Sequence, residues 1–413
     1  MKRKSIPTIF ILILLLTSII GLDITRRYLN GDFRPDRYEL NFLYSSEKAG
    51  WLESVVHGFE QQWSANHSGQ AIKVILTPIG SGKGTNSVAT EAAKPTVWSP
   101  ASSFWLPILN LLWRTNHNYD IVDTNSPSLV VSPTIIATWV SYQQQHNITS
   151  LQDLHDIAVS DPNFTFAHTD PFQSNSGFGS VIMEASAAAG IDPEHLTLDD
   201  LARNDVQKWM RELESKAIQY GESTGFLGKL MASEGSSKLK AAMMYENLVL
   251  EKNNEIKGDK LVAIYPSEGT VFNDHPYAIL NAPWVTPLAH SLAEDFLGYL
   301  RSFPIQEKGI DYGFRPGVKS DALDLEVSKV FNQTVGVIPS LNNTTIYSVA
   351  KIPGTILERI PDLWTATRAR SLGGDTKAQK LTPVDFIIPT IMVLMFIFIT
   401  LNPVIRKIRR YLK

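Results

Sequence analysis

Hydrophobic and polar positions along this chain repeat in two periods that take turns. Residues 38–44 (YELNFLY) alternate in steps of two, the period of a half-buried strand. Trp51, Leu52, Val55, Val56, Phe59 and Trp63 then recur at three and four, the stripe of an amphipathic helix. Residues 71–76 predict a strand, GSGKGTNS a glycine-rich turn leading into 88–93, and 96–98 a short strand ending in WSPASS. A helix is expected over 105–113, and a strand over 129–131 that breaks at Ser132-Pro133. This β-α-β-α-β order implies a mainly parallel sheet with helices on both faces.

A second block repeats the alternation. It reads as a helix over 134–145, a strand over 163–167, and a helix around 181–189 opened by SNSGFG. Polar helical stretches over 198–219 and 224–235 come before strands at 241–245 and 261–265. Helices follow over 289–300, 321–330 and 356–368. Two α/β lobes result, with the chain crossing near Ser132-Pro133 and returning near 246–262. Lobe 1 is expected at about 33–133 and 262–370, and lobe 2 at about 134–261. In open α/β sheets ligands sit at the carboxyl ends of strands, where helix N-termini offer N–H groups.

The ends break this pattern. Residues 386–405 (FIIPTIMVLMFIFITLNPVI) carry no charge, and as a helix would span about 30 Å, a bilayer core. Arg406, Lys407, Arg409, Arg410 and Lys413 follow, which by the positive-inside rule puts 406–413 in the cytoplasm. A polar linker, 371–385, joins this transmembrane helix to the ectodomain. At the other end Lys2, Arg3 and Lys4 precede an apolar run over 6–22, so 1–32 reads as a signal peptide or a signal-anchor. Either way the ectodomain, 33–370, faces outward.

Of the 413 residues 44% are hydrophobic and 19% charged, ordinary for a folded protein. Cysteine is absent, which excludes disulfides, thiolate metal sites and a cysteine nucleophile. Setting aside the eight terminal basic residues leaves 30 of the 38 Lys and Arg against 41 Asp and Glu, about −11 for the remainder. That balance, without a basic stripe, disfavours nucleic acid. Six sequons, at Asn66, Asn147, Asn163, Asn332, Asn342 and Asn343, fit an exported, glycosylated surface.

The candidate binding residues sit where strands give way to helices. Ser45 and Ser46 end the first strand, Ser102 and Ser103 stand at a helix start, and Ser174-Asn175-Ser176-Gly177 opens a helix in the second lobe. Their hydroxyls can face a ligand beside free helix N–H groups or simply cap those helices. Ser132 lies at the crossover. Tyr245 and Glu246 end an inner strand, either to receive a cationic or hydroxylated group or to act as an interlobe strut. GSGKG fails the phosphate-loop pattern, since Gly84 follows Lys83. GESTG (221–225) matches the G-x-S-x-G signature, but a hydrolase elbow needs a preceding strand and this segment reads as helix. His168-x-Asp170 and Asp274-His275 lack metal-ligand spacing and read as structural, so neither a metal nor a cofactor is expected. Trp98, Trp105, Trp113 and Trp284 read as core.

Several stretches together carry a family likeness: NFLYSSEKAGWLESVVHGFE, AAKPTVWSPASSFWLP, TDPFQSNSGFGS, YGESTGFLGKL, MMYENLVL, and IYPSEGTVFNDHPYAILNAPWV followed by GFRP. Over about 38–370 the chain resembles type II extracellular (periplasmic-type) solute-binding proteins of ABC transporters, in the branch often fused to a von Willebrand factor A domain. The resemblance implies a two-lobed periplasmic-binding-protein-like type II fold, α/β in class. It also implies a non-enzymatic role: capture of a small polar solute for an ABC permease. It places Ser223 and Thr224 in the second lobe as binding candidates. The serine-rich, non-aromatic cleft leans towards an anion such as an oxyanion. Lys83 or Arg315 could supply positive charge for it, whereas Glu246 argues the other way. The D-x-S-x-S motif of the A domain is absent. An A-domain membrane protein would therefore act in trans, and the alternative role is a ligand-free scaffold or sensor subunit beside it.

Overall fold

A computed structural model describes residues 37–371 apart from 320–322, 324, 327 and 332–334. The expected signal segment, linker, transmembrane helix and basic tail lie outside the described residues, as does Asn332. The helix expected over 321–330 is not formed at its described residues, which are turns and bends. Among the described residues no helix is long and apolar enough to cross a membrane.

Two sheets organise the chain. The first takes β1 (Arg37–Ser45), β2 (Ala71–Ile79), β3 (Val97–Ser99) and β10 (Ala278–Ile279) in the order β10-β3-β1-β2, with β10 antiparallel to β3 and the other pairings parallel. Alternation in β1 sends Tyr38, Leu40, Phe42 and Tyr44 to one face, against α1 (Ala49–Asn66) and α11 (Pro287–Leu300). Leu43 points to the other face, towards α2 (Ser81–Ala89) and α3 (Trp105–Trp113), where Trp98 and Trp113 are buried. The core reading of these two tryptophans holds.

The second sheet is mixed rather than mainly parallel. It is built around β4 (Val130–Trp139), which is antiparallel to β7 (Ala241–Tyr245), β8 (Leu261–Ile264), β9 (Thr270–Asn273) and β11 (Arg315–Pro316). Parallel strands β5 (Phe166–Thr169) and β6 (Ala217–Gly221) extend it beyond β7, and β12 (Ile346–Tyr347) lies beside β9. Its faces carry α4 (Val140–His146), α5 (Leu151–Ser160), α6 (Asn175–Ala189), α7 (Leu198–Ala202), α8 (Asn204–Glu214), α9 (Thr224–Glu234) and α10 (Glu246–Asn253). Near the chain's described end are α12 (Phe303–Asp311) and α13 (Gly354–Ser371).

Strand β4 corrects the expected break. It runs through Ser132-Pro133, where it pairs with Asn273 and Phe272, and the helix starts only at Val140. Residues 132–139 are all buried, and a fully buried run has no alternation to separate strand from helix. Strands β4 and β9 are therefore the two antiparallel crossings between the lobes. The return lies later than expected: β8 still pairs with Ile136–Trp139 of the second lobe. Val335, Val337, Ile356, Ile360 and Trp364, expected in lobe 1, pack in the second lobe's core. Asn66, Asn147, Asn163, Asn342 and Asn343 are exposed.

Candidate functional site

The expected binding residues converge on the seam between the lobes. The N-terminal turns of α2, from the first lobe, and of α6 and α9, from the second, meet there. The Lys83 N–H donates to the Gln173 carbonyl at 3.1 Å, and the Gly225 N–H donates to Ser46 Oγ at 3.0 Å. Glycine is required at Gly80. A Cβ there would stand 2.3 Å from the Gln173 carbonyl oxygen and 2.6 Å from that of Glu222. The segment expected as a turn is thus the start of a helix, glycine-rich because the opposite lobe's backbone touches it. Lys83 pairs with Glu222 at 3.4 Å on the exposed rim.

On the second-lobe side Ser174 and Ser223 occupy N-cap positions, yet neither makes a side-chain cap bond. Their neighbourhood is a chain of hydroxyls. Ser174 Oγ lies 3.2 Å from Thr224 Oγ1, which donates to Ser176 Oγ at 2.9 Å, which in turn lies 2.8 Å from Thr169 Oγ1. Asn175 bridges the lobes: its Oδ1 accepts from Trp105 Nε1 at 2.9 Å, and its Nδ2 donates to the Tyr245 hydroxyl and to Asn273 Oδ1, both at 2.7 Å. At the crossing Asn247 N–H donates to Ser132 Oγ at 3.2 Å. Ser102 is buried beside Ser103, whose N–H donates to Asp274 Oδ1 at 2.7 Å.

A buried charge cluster sits behind the first-lobe serines, and the sequence reading missed it. Glu47 and Lys48 follow Ser45 in a short turn, and both are buried. Ser45 Oγ hydrogen-bonds both side chains. Lys48 Nζ donates to the Ser99 carbonyl at 3.1 Å and lies 3.3 Å from His275 Nδ1, itself 3.2 Å from Glu47. Burial works to raise the Glu47 carboxyl, but Lys48 and His275 hold it down at about 2. Burial pulls the Lys48 ammonium down to about 8 against the attraction of Glu47. Burial, then Lys48, also lowers His275. The only local signal was two charges directly after a strand.

These shifts set a pH dependence. Glu47 titrates lower in the folded chain than its ordinary value of 4.5, so its stabilisation is present above that pH and lost as pH falls towards 2. The loss is about 3 kcal/mol. Lys48 acts oppositely: keeping it protonated opposes folding below about 8, and stability recovers as pH rises from there to 10.5. Urea titrations at a series of pH values should show the acid limb between 4.5 and 2, and Glu47→Gln should flatten it. An unchanged limb in that variant would rule Glu47 out as its source.

Glu246 points away from this cluster to a strut. Arg315 Nε and one terminal nitrogen donate to its two oxygens at 3.0 and 2.7 Å, and the Tyr265 hydroxyl donates as well. Both cations expected to serve a ligand, Lys83 and Arg315, are thus paired with carboxylates.

GESTG needs a correction. A strand, β6, does precede it, where a helix was expected. Ser223 nonetheless has ordinary extended dihedrals (φ −158°, ψ 157°) and not the strained turn of a nucleophile elbow. Several buried polar atoms on the seam's elements make no hydrogen bond: Tyr44 hydroxyl, Thr85 Oγ1, Ser99 Oγ, Asn247 Nδ2 and His275 Nε2.

Residues 40–315 match the family model for bacterial extracellular solute-binding proteins. The chain belongs to that family. Solute-binding proteins of this family are ligand binders, not enzymes. No curated protein sequence matches the chain. Among solved structures it is similar to the sulfate-binding protein SubI from Mycobacterium tuberculosis H37Rv, at 16% identity and TM-score 0.52 over 76% of this chain and 96% of that one. A periplasmic thiamin binding protein matches at 14% and 0.55, over 81% and 96%. AfuA from Actinobacillus pleuropneumoniae, with fructose-6-phosphate bound, matches at 14% and 0.51, over 80% and 97%. At these identities the likeness shows the two-lobed fold alone.

Proposed function

We propose that this solute-binding protein is a membrane-tethered, outward-facing receptor that closes its lobes on a small polar solute and delivers it to an ABC-type permease. One observation carries the reading: three helix N-termini from opposite lobes meet at a hydroxyl-lined seam. Helix N-termini favour negative charge, so the ligand class is an oxyanion or an organic anion. The binding residues are Ser45, Ser46, Ser102, Ser103, Ser132, Ser174, Asn175, Ser176, Ser223, Thr224 and Tyr245, with Glu246 as hinge strut. The unpartnered Ser99 Oγ and His275 Nε2 add to them, since buried polar atoms without partners mark missing ligands or water. Tethering rests on the charge-free stretch 386–405 and its basic flank. Exposed sequon asparagines suit an outward face.

A thermal-shift screen of the full-length chain in detergent tests this, with sulfate, phosphate, sugar phosphates, sugars and amino acids as probes. A ligand at a hundred times its Kd adds about 2.7 kcal/mol, or roughly 3–4 °C for a chain of this size. Anions should give that shift, and Thr224→Val should reduce it. If no probe moves the melting temperature, the receptor reading fails. A second reading, a ligand-free scaffold or sensor subunit, is favoured by Asn175, whose amide is already taken by Trp105, Tyr245 and Asn273. A scaffold would show no probe shift and would keep its surface partner when Ser102 becomes alanine.

A further inference from the structure

We propose that His168, Glu184 and Glu214 form a buried site for a divalent first-row metal ion of the zinc class. The three side chains come from β5, α6 and α8, all are buried, and one ligand atom from each lies within 4.8 Å of the other two. No N–H or hydroxyl reaches either oxygen of Glu184, which meets only the Glu214 carboxyl. A buried carboxylate without a donor is costly, and here it faces a second carboxylate.

The surroundings are those of metal ligands. His168 Nδ1 lies 2.7 Å from the Thr169 carbonyl, which only accepts, so Nδ1 carries a proton. In the neutral ring Nε2 then presents its lone pair to Glu214 Oε1 at 2.9 Å. At that separation only a proton fits between the two atoms, so a metal ion would take that proton's place as the atoms move slightly apart. The Tyr220 hydroxyl donates to Glu214 Oε2 at 2.6 Å. A carbonyl behind the imidazole and a hydroxyl behind the carboxylate are the outer partners that orient such ligands. Metal bonds of about 2.0–2.2 Å put tetrahedral ligand atoms roughly 3.4 Å apart, so atoms up to 4.8 Å apart must close in while the 2.9 Å His168–Glu214 pair opens slightly, within reach of side-chain rotation. An imidazole donor and so few protein oxygens favour zinc over calcium or magnesium, which need more oxygen ligands or several waters.

No metal-ligand spacing is visible along the chain because the ligands come from three separate elements. The ion would staple β5, α6 and α8 together. Thr169, next to His168, accepts from the Gly177 N–H at 2.6 Å, so the same staple holds the SNSG turn at the seam. The proposal does not depend on the receptor reading.

The other candidate occupant is a proton. Burial, then Glu214, raises the Glu184 carboxyl well above the ordinary range, which would leave it neutral. Metal analysis of the purified full-length chain distinguishes the two. We expect about one zinc per chain, loss of it to a chelator with a fall in melting temperature, and recovery on adding zinc alone. Glu184→Gln and His168→Gln should lower the zinc content at least tenfold, whereas His57→Gln, at an exposed position, should not. Metal-free wild-type protein that zinc does not stabilise overturns the site. So does a Glu184→Gln chain that keeps its zinc. If the variants fail to fold, the chelator and zinc steps on the wild-type chain still decide.

Discussion

Replacing Arg315 with methionine is expected to lower the unfolding free energy by about 3–5 kcal/mol, the cost of stranding a buried charge. Glu246 is fully buried, and Arg315 reaches it with two donors at 3.0 and 2.7 Å. The same guanidinium donates to the Pro339 and Ile338 carbonyls at 2.7 and 2.6 Å and lies over the Phe331 ring. Methionine fills the volume but leaves the carboxylate only the Tyr265 hydroxyl. Combining Arg315→Met with Glu246→Leu should recover most of the loss, because an apolar pair of similar volume replaces a buried ion pair at little net cost. Urea unfolding of the single and double variants gives both numbers. A single variant within about 1 kcal/mol of wild type would show that Glu246 is not held charged by Arg315.

The position of this pair explains its weight. Arg315 lies on β11, opposite Val131 of β4, while Glu246 opens α10 directly after β7, whose Tyr245 pairs with Thr134. The ion pair therefore brackets the stretch of β4 that crosses between the lobes. Loss of the strut should loosen the hinge before either lobe melts, and amide exchange along β4 and β9 should rise first.

Elements with one face in the core were legible. Helix α3 falls where its pattern places it, and β1 and α1 within a few residues. Elements buried on both faces were legible only when short and bounded, as β7 is: the longer run after Pro133 lacks alternation, and a strand was taken for a helix. Strand β6 was missed for the opposite reason, since Ile218 and Gln219 are exposed and nothing marks a buried face. Glycines at 80–84 read as a loop, whereas neighbours invisible in one dimension demand them: the other lobe's backbone at Gly80 and Gly82, and the Trp98 ring at Gly84. The serines at strand ends could be named because their local setting is their signal. Glu47, Lys48 and His275 could not, because 227 residues separate Lys48 from the ring beside it.

The largest functional effect is expected from Gly80→Ala. Gly80 has φ −69°, so alanine suits its backbone and the first lobe folds unchanged. The added Cβ would meet two carbonyl oxygens of the other lobe, Gln173 at 2.3 Å and Glu222 at 2.6 Å. Backbone cannot turn aside as a side chain can, so the lobes must separate. Separation breaks the Lys83 to Gln173 and Gly225 to Ser46 hydrogen bonds and moves α2 away from α6 and α9. If closure creates the solute site, a penalty of about 1.4 kcal/mol on the closed state already weakens binding about tenfold. The absence of cysteine makes this measurable. Asn116→Cys and Ser237→Cys place spin labels on exposed positions of opposite lobes, and their distance distribution should shift outward in Gly80→Ala. The melting shift caused by whichever anion stabilises wild type should shrink in parallel. An unchanged distance, or a full shift with the same anion, would mean that the contact at Gly80 does not govern closure.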